Sequence, residues 1–210
     1  MILDSGVRCL PILFNTDMVW ALLENRKTVT RRVLKPQPVK DELRICHWKD
    51  CHWMEGGIGF PASGIEDHAP YHVGDILYVR ETWSICDNLW DGTDIVIYRA
   101  GYNGGQNASI KWRPPIHMPH EFARIFLRVT GMRVERLGEI TEEQAQAEGF
   151  FKGWKRTEQS SMALTATQAF MWSWDYLIKP ADRALYGWAA NPWVWVIEFE
   201  RCEKPEGWPA

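Results

Sequence analysis

The spacing of apolar residues predicts a strand, a helix and a second strand at the start of the chain. Residues 11–15 (PILFN) form a short apolar run typical of a strand. Thr16 is a plausible N-cap for the helix that follows. The apolar stripe of that helix comprises Met18, Val19, Leu22 and Leu23. Asn25 can end the helix in a left-handed conformation. Residues 29–34 (VTRRVL) include three β-branched side chains and predict the next strand.

The middle of the chain reads mainly as strands. A turn at residues 74–75 precedes an alternating run over residues 76–85, and residues 94–100 predict another strand. Three prolines force residues 111–120 to be extended or turning. Residues 124–137 predict a pair of strands bent at Gly131.

Two helices and a final strand complete the pattern. Thr141 and Gln144 form a capping box at the start of a short helix, and Gly149 is its C-terminal stop. Residues 166–178 predict a second helix that ends before Pro180. One face of this helix carries Phe170, Trp174 and Leu177. The last strand spans residues 193–201, where large apolar residues alternate with their neighbours.

These elements predict one α+β domain over residues 1–210. Residues 35–72 and 150–165 lack clean periodicity, so we expect irregular surface insertions there. About six short strands without regular βαβ alternation favour a small mixed β-barrel with flanking helices over a doubly wound sheet.

Composition narrows the classes of protein. Hydrophobic residues make up 46% and charged residues 24% of the 210, which are ordinary globular values. The net charge of -3 excludes a generally basic nucleic-acid coat, so contact with phosphates must come from a local cluster. Five cysteines, no signal-like start and no long apolar run predict a reduced, cytoplasmic protein without a membrane segment.

The strongest local cluster of charge is residues 25–32 (NRKTVTRR). It holds two threonines and four cations, namely Arg26, Lys27, Arg31 and Arg32. These residue types hold phosphates, but cations are also favoured at a helix C-terminus for structural reasons alone. Both interpretations stay open from the sequence.

Aromatic and basic residues mark a second candidate site. Residues 112–119 (WRPPIHMP) form a rigid segment in which Trp112, Arg113 and His117 can stack on a base and hydrogen-bond to it. Arg80, in VRETW, is a further candidate phosphate or base contact. The alternatives are loop packing for the first set and a cross-strand ion pair for VRETW.

Residues 46–53 (CHWKDCHW) repeat a Cys-His-Trp unit. The side chains of Cys46, His47, Cys51 and His52 can bind zinc, and so can that of His68 further along the chain. The spacing is none of the strong zinc patterns, and adjacent Cys-His pairs cannot easily all bind one ion. We therefore expect no metal and no cofactor, with a structural zinc site as the alternative.

Several motifs in order resemble the ASCH domain family, a PUA-like β-barrel group. They are ENRKTVTRR, GDILYVRETW, TEEQAQAEG and NPWVWVIEFE. The segments PILFNTDMVWALLENRKTVTRR and WRPPIHMP look like the bacteriophage and prophage branch, often labelled morphogenesis proteins. The resemblance runs from residue 11 to residue 201. In the family's G-x-K-T-x-T-x-R motif, Asn25 replaces the glycine here, and Asn also tolerates a left-handed backbone.

The resemblance implies a site beside a cleft that meets RNA or a nucleoside. One branch hydrolyses the amide of acylated cytidine (4-acetylcytidine), and its catalytic Lys, Thr and Glu correspond to Lys27, Thr30 and Glu148. Thr30 would be the nucleophile and Lys27 its base, with a pKa lowered by burial and neighbouring arginines. The alternatives are a non-catalytic module that binds RNA or a modified nucleotide, and a ribonuclease. A Walker loop and a dinucleotide fingerprint are missing from the sequence, which argues against nucleotide-triphosphate hydrolysis and redox catalysis.

Overall fold

The computed structural model describes residues 1–3, 6–42, 45–54, 65–87, 94–103, 110–154 and 161–209. The strands are β1 (Cys9–Leu13), β2 (Val29–Val33), β3 (Val39–Lys40), β4 (Ile45–Trp48), β5 (Cys51–Met54), β6 (Ile76–Arg80), β7 (Trp83–Asp87), β8 (Asp94–Tyr98), β9 (Phe126–Arg136) and β10 (Trp193–Cys202). The α-helices are α1 (Thr16–Leu23), α2 (Glu142–Ala147), α3 (Ala166–Leu177) and α4 (Arg183–Tyr186). The predicted α+β class is therefore confirmed.

The largest sheet has the order β1-β6-β9-β10-β2. Strands β1 and β6 are parallel, whereas β9 pairs antiparallel with β6 and β2 antiparallel with β10. Among the described residues β1 and β2 are the end strands of this order, so the sheet there is not the closed barrel that the sequence suggested.

The chain divides into two compact units. The first contains Met1–Arg26, Gly74–Val129 and Phe199–Ala210, and the second contains Lys27–Val73 and Thr130–Glu198. The hairpin β7–β8 belongs to the first unit, and helices α2 and α3 belong to the second.

One apolar cluster forms the core of the first unit. Its buried members are Leu3, Cys9, Ile76, Trp83, Met118, Ala123, Phe126 and Trp208. Several of these residues are aromatic, and Phe126 meets Trp208 edge to face with ring centroids 5.0 Å apart. Such pairs contribute beyond the area that they bury, and this core fixes β6 and the segment before β9.

Residues 35–72 are more regular than predicted where the structure describes them, and residues 43–44 and 55–64 lie outside the described part. Strands β3, β4 and β5 form a three-stranded antiparallel sheet in which Cys46 pairs with Trp53 and Trp48 with Cys51. The repeated CHW unit supplies two short strands, and Lys49, with φ of 53°, lies in the tight turn between them. Of the second expected insertion, residues 155–160 lie outside the described residues.

The predicted pair of strands at residues 124–137 is wrong, because one strand, β9, runs through Gly131. A Cβ atom at this position would lie 2.7 Å from Oε2 of Glu198. That oxygen is the far end of a flexible, 46% exposed side chain, so a Cβ atom here requires only that the Glu198 carboxylate shift.

The helix ends agree with the sequence in most details. The capping box of Thr141 and Gln144 is confirmed, and Asn25 has the expected left-handed backbone with φ of 57°. The N-cap of α1 is Asn15, not Thr16, because the Asn15 side chain accepts a hydrogen bond from the Met18 amide. Leu177 is exposed, so the buried face of α3 ends at Trp174.

The longest of these helices, α3, has 12 residues. None of the described helices combines the length and the apolar character that a membrane crossing requires.

Candidate functional site

The Lys27 side chain forms the centre of a buried polar cluster in the second unit. Its Nζ atom donates to Oε2 of Glu148 at 2.7 Å, to the Glu148 carbonyl oxygen at 2.9 Å and to the Val29 carbonyl oxygen at 2.8 Å. The two side chains are only 1% and 4% exposed. Each of the three N–H bonds of a charged lysine thus has an acceptor.

Local sequence signals explain how these two residues meet. Glu148 caps the C-terminus of α2, and Gly149, with φ of 100°, ends that helix. The backbone reinforces the contact, since the Thr28 amide donates to the Ala147 carbonyl oxygen and Lys27 forms a β-bridge with Glu148. Residues 121 positions apart are therefore held by both backbone and side chain.

Arg31 approaches the same carboxylate from β2. Its guanidinium donates to Oε1 of Glu148 at 3.4 Å, to Oε1 of Gln144 at 2.9 Å and to Oε2 of Glu135 at 3.1 Å. The side chain is fully buried, and its Nε atom finds no hydrogen-bond partner in the described part of the chain. A buried N–H without a partner is costly, so it marks a position where a ligand or water oxygen would be stabilised.

Thr30 and Arg32 share the opposite face of β2, because successive strand residues point to alternate sides. Thr30 is buried and Arg32 is half-buried. None of the three acceptors of the Lys27 Nζ atom is the Thr30 hydroxyl.

The surroundings shift the ionisation of two of these groups. Burial lowers the pKa of Lys27, the Glu148 carboxylate opposes that shift, and the charges of Arg32 and Arg31 add to it. Burial also lowers the pKa of Arg32. Lys27, Arg31 and Arg32 thus act on the Glu148 carboxylate, and Glu135 supplies a second negative charge beside Arg31.

Arg26 does not join the cluster. It is exposed, and its Nε atom donates to Oε2 of Glu24 at 2.7 Å. Its amide closes the end of α1 by donating to the Ala21 carbonyl oxygen at 2.8 Å.

The remaining predicted ligand contacts belong to the first unit. Arg80 donates from Nε to the Met118 carbonyl oxygen at 2.8 Å and from a terminal nitrogen to that of Ile116 at 2.6 Å. These bonds fasten the proline-rich segment to β6. Glu81 of VRETW forms an ion pair with Arg124, but both residues lie outside the strands, so this is not the cross-strand pair offered as an alternative.

The aromatic residues of that segment already have packing partners. The Arg113 guanidinium lies 4.9 Å from the Trp83 ring centroid. The Arg99 guanidinium lies 5.2 Å from the Trp112 ring centroid. The ring centroids of Trp112 and Tyr102 are 5.5 Å apart. His117 is exposed.

Gln144 and Glu135 were missed by sequence reasoning. Gln144 was assigned only to the capping box, and its side chain serves that box and Arg31 together. Glu135 lies within a long strand whose pairing was not foreseen. No sequence signal singles out Glu135 as a partner of Arg31.

Comparison of the chain with protein-family models, with curated proteins and with solved structures gave no match. The α+β fold and the buried cationic cluster therefore stand on the chain's own geometry.

Proposed function

We propose that this protein acts on a nucleoside or RNA as a PUA-like, ASCH-type protein of the phage branch. Its most concrete activity would be hydrolysis of the amide of acylated cytidine. The contact of Lys27 with Glu148 at 2.7 Å carries the proposal, because two residues assigned separately by the resemblance share one buried cluster. The cytoplasmic setting expected from the sequence belongs to the same proposal.

Amide hydrolysis assigns the nucleophile to Thr30 and the base to Lys27. The Thr30 oxygen attacks the acyl carbon while its proton passes to the neutral Lys27 amine. Breakage of the carbon–nitrogen bond releases cytidine, whose exocyclic nitrogen takes up that proton. Water then hydrolyses the acyl ester on Thr30 and releases the carboxylic acid.

The electrostatics of the cluster support this sequence of steps. The lowered pKa of Lys27 increases the share of neutral amine at working pH. Arg32, on the same face of β2 as Thr30, would favour the oxyanion that forms when Thr30 attacks. Attack requires Lys27 to turn one hydrogen-bonding position from a protein oxygen towards Thr30.

A second candidate is a non-catalytic module that binds RNA or a modified nucleotide. It is favoured by the three short hydrogen bonds of Lys27, which fit a permanently charged ammonium group. Arg32 would then supply charge for a phosphate, and the buried Arg31 would hold the site together.

Incubation with 4-acetylcytidine, other acylated cytidines and short RNAs, followed by mass spectrometry, tests these functions. Amide hydrolysis predicts that Thr30→Ser keeps partial activity and that Thr30→Val loses it. Thr28→Val is the matched control, because Thr28 is exposed in the same motif. Lys27→Arg should also be inactive, since arginine cannot release its proton at neutral pH.

The binding module predicts a different set of results. No acylated cytidine is cleaved, and Lys27→Arg binds RNA nearly as well as the wild type. Shortened RNA products that persist in Thr30→Val would instead support a ribonuclease. A wild type that shows no turnover and no RNA binding would contradict both proposed functions.

A further inference from the structure

A separate group of metal-competent side chains lies at the turn between β4 and β5. Asp50 is in this turn and Cys51 opens β5, where it is buried. His68 is the last residue of a 3₁₀ helix, Ile65–His68. The fold thus brings His68 back to a turn 18 residues earlier in the chain.

The three donor atoms converge. Oδ1 of Asp50 lies 2.5 Å from Nε2 of His68 and 4.0 Å from Sγ of Cys51. All three atoms lie within 4.8 Å of one another. Among the described residues no other group of three or more such side chains is as close.

We propose that Asp50, Cys51 and His68 bind one Zn²⁺ ion through Oδ1, Sγ and Nε2. Thiolate, imidazole and carboxylate are the three ligand types of zinc proteins, with bonds of about 2.0–2.3 Å. Tetrahedral angles with those bonds place ligand atoms about 3.2–3.8 Å apart. The ion therefore requires the Asp50–His68 contact to open by about 1 Å and the others to close slightly.

The mixed donor set indicates zinc more than the hard cations. Ca²⁺ and Mg²⁺ bind six or more oxygen ligands, and a buried thiol is a poor ligand for either. Zinc needs only four ligands, so three protein atoms leave one position for water.

The surroundings favour a cation at this place. The carboxylates of Asp50 and Asp67 both act on the Cys51 thiol. A bound dication would offset both carboxylates and the thiolate together.

Packing holds the histidine ready for such an ion. The His68 ring meets Trp48 edge to face, with ring centroids 5.6 Å apart. Trp48 is itself fixed by a hydrogen bond from Nε1 to the Pro36 carbonyl oxygen at 2.7 Å. Rigid support of a ligand strengthens metal binding.

The same sheet provides a matched control. Nε2 of His47 lies 3.0 Å from Oδ2 of Asp41, but no third ligand side chain of the described chain joins this pair. His47→Asn therefore removes a His–Asp contact without touching the proposed site.

Elemental analysis of the purified chain, followed by titration of the metal-free protein with Zn²⁺ alone, tests the proposal. We expect one zinc per chain and, with Co²⁺, visible d–d bands together with a near-ultraviolet thiolate-to-metal band. Cys51→Ser should abolish that band. Asp50→Asn and His68→Asn should weaken zinc binding at least about tenfold, and His47→Asn should leave it unchanged.

Asp50 keeps the test decisive if Cys51→Ser fails to fold, because its side chain is 78% exposed and Asp50→Asn leaves packing intact. Zinc affinity unchanged in Asp50→Asn and His68→Asn would overturn the proposed ligands. A wild type without stoichiometric zinc after titration would overturn the site itself.

Discussion

Two ion pairs with a buried carboxylate, one in each compact unit, use the same kinds of charge in different ways. In the first unit, the Arg124 guanidinium donates from Nε to Oε1 of Glu81 at 2.8 Å and from Nη2 to Oε2 of Glu81 at 2.9 Å. It also donates to the Ala100 carbonyl oxygen and lies 4.0 Å from the Tyr98 ring centroid. In the second unit, Lys27 meets a single oxygen of Glu148 and shares that carboxylate with Arg31.

The difference is one of proton chemistry. Guanidinium remains charged at any working pH, and its planar fork matches a carboxylate, so the Arg124–Glu81 pair fixes structure. An amine whose pKa is lowered by burial releases its proton at a lower pH than an ordinary lysine does. Of the two cations, Lys27 is therefore the one that can titrate.

The largest expected effect comes from removing each carboxylate charge in turn. Glu148→Gln leaves the fully buried Lys27 and Arg31 without their shared counter-charge and should cost about 3–5 kcal/mol in the free energy of unfolding. Glu81→Gln should cost less, about 1–3 kcal/mol, because the Arg124 side chain is 33% exposed and keeps its bond to Ala100. Urea unfolding measures both. Equal losses would remove the distinction between the pairs.

The alkaline limb of stability should belong to Lys27. Its folded pKa is below its unfolded value, so between the two values the unfolded chain binds more protons and unfolding free energy rises with pH. The rise has a limiting slope of about 1.4 kcal/mol per pH unit. Lys27→Met should remove it, as measured by urea unfolding from pH 7 to 10.5.

Lys35→Met is the control for that measurement, because Lys35 is exposed in the same unit. An alkaline rise that persists in Lys27→Met, or disappears in Lys35→Met, would show that the effect does not come from the buried pair.

On the acid side, the pH dependence of the unfolding free energy should come from the Arg124–Glu81 pair. Burial raises the pKa of Glu81 despite its bonds from Arg124. Between the unfolded and folded pKa values the folded chain binds more protons, so this group lowers unfolding free energy as pH rises through that window. Glu81→Gln should abolish that contribution, whereas Glu142→Gln should not. Unfolding midpoints from pH 4 to 7 measure the difference, and identical profiles for wild type and Glu81→Gln would contradict it.

Glu142 is informative because its pKa shift is opposite. Hydrogen bonds from the Thr167 and Ala166 amides hold the pKa of its carboxylate below its usual value. Its contribution to stability is lost as pH falls through the folded pKa. Glu142→Gln should therefore flatten the profile below pH 4.5, the side opposite to Glu81.

Local signals predicted the parts of the fold that depend on neighbouring residues. The capping box of α2 and the left-handed Asn25 need only a few adjacent side chains, and both were found from sequence. Strands β3 to β5 were missed because each has two to four residues, too few for alternation to stand out. Gly131 was misjudged because its neighbour, Glu198, is distant in sequence.

The candidate site likewise has a part that the sequence shows and a part that depends on residues distant in the chain. The charge of residues 25–32 is visible in the sequence, but no local pattern places Glu148 beside Lys27. Burial separates the octet further, since Arg31 is enclosed and Arg26 is exposed. Periodicity cannot foresee this, because the turn after α1 breaks the helical repeat before β2 begins.

The smallest expected effect on stability tests whether burial, rather than charge alone, distinguishes these pairs. Arg26 and Glu24 form an exposed ion pair two residues apart, so Arg26→Gln should change unfolding free energy by less than about 0.5 kcal/mol. If Arg26 contacts phosphate, the same variant should weaken RNA binding uniformly across sequences and lower the salt slope by about one. Arg183→Gln, at an exposed residue of α4, is the control for nonspecific charge loss. A stability loss as large as that of Glu148→Gln would show that Arg26 belongs to the buried network, and an RNA affinity equal to that of the wild type would remove it from the proposed binding surface.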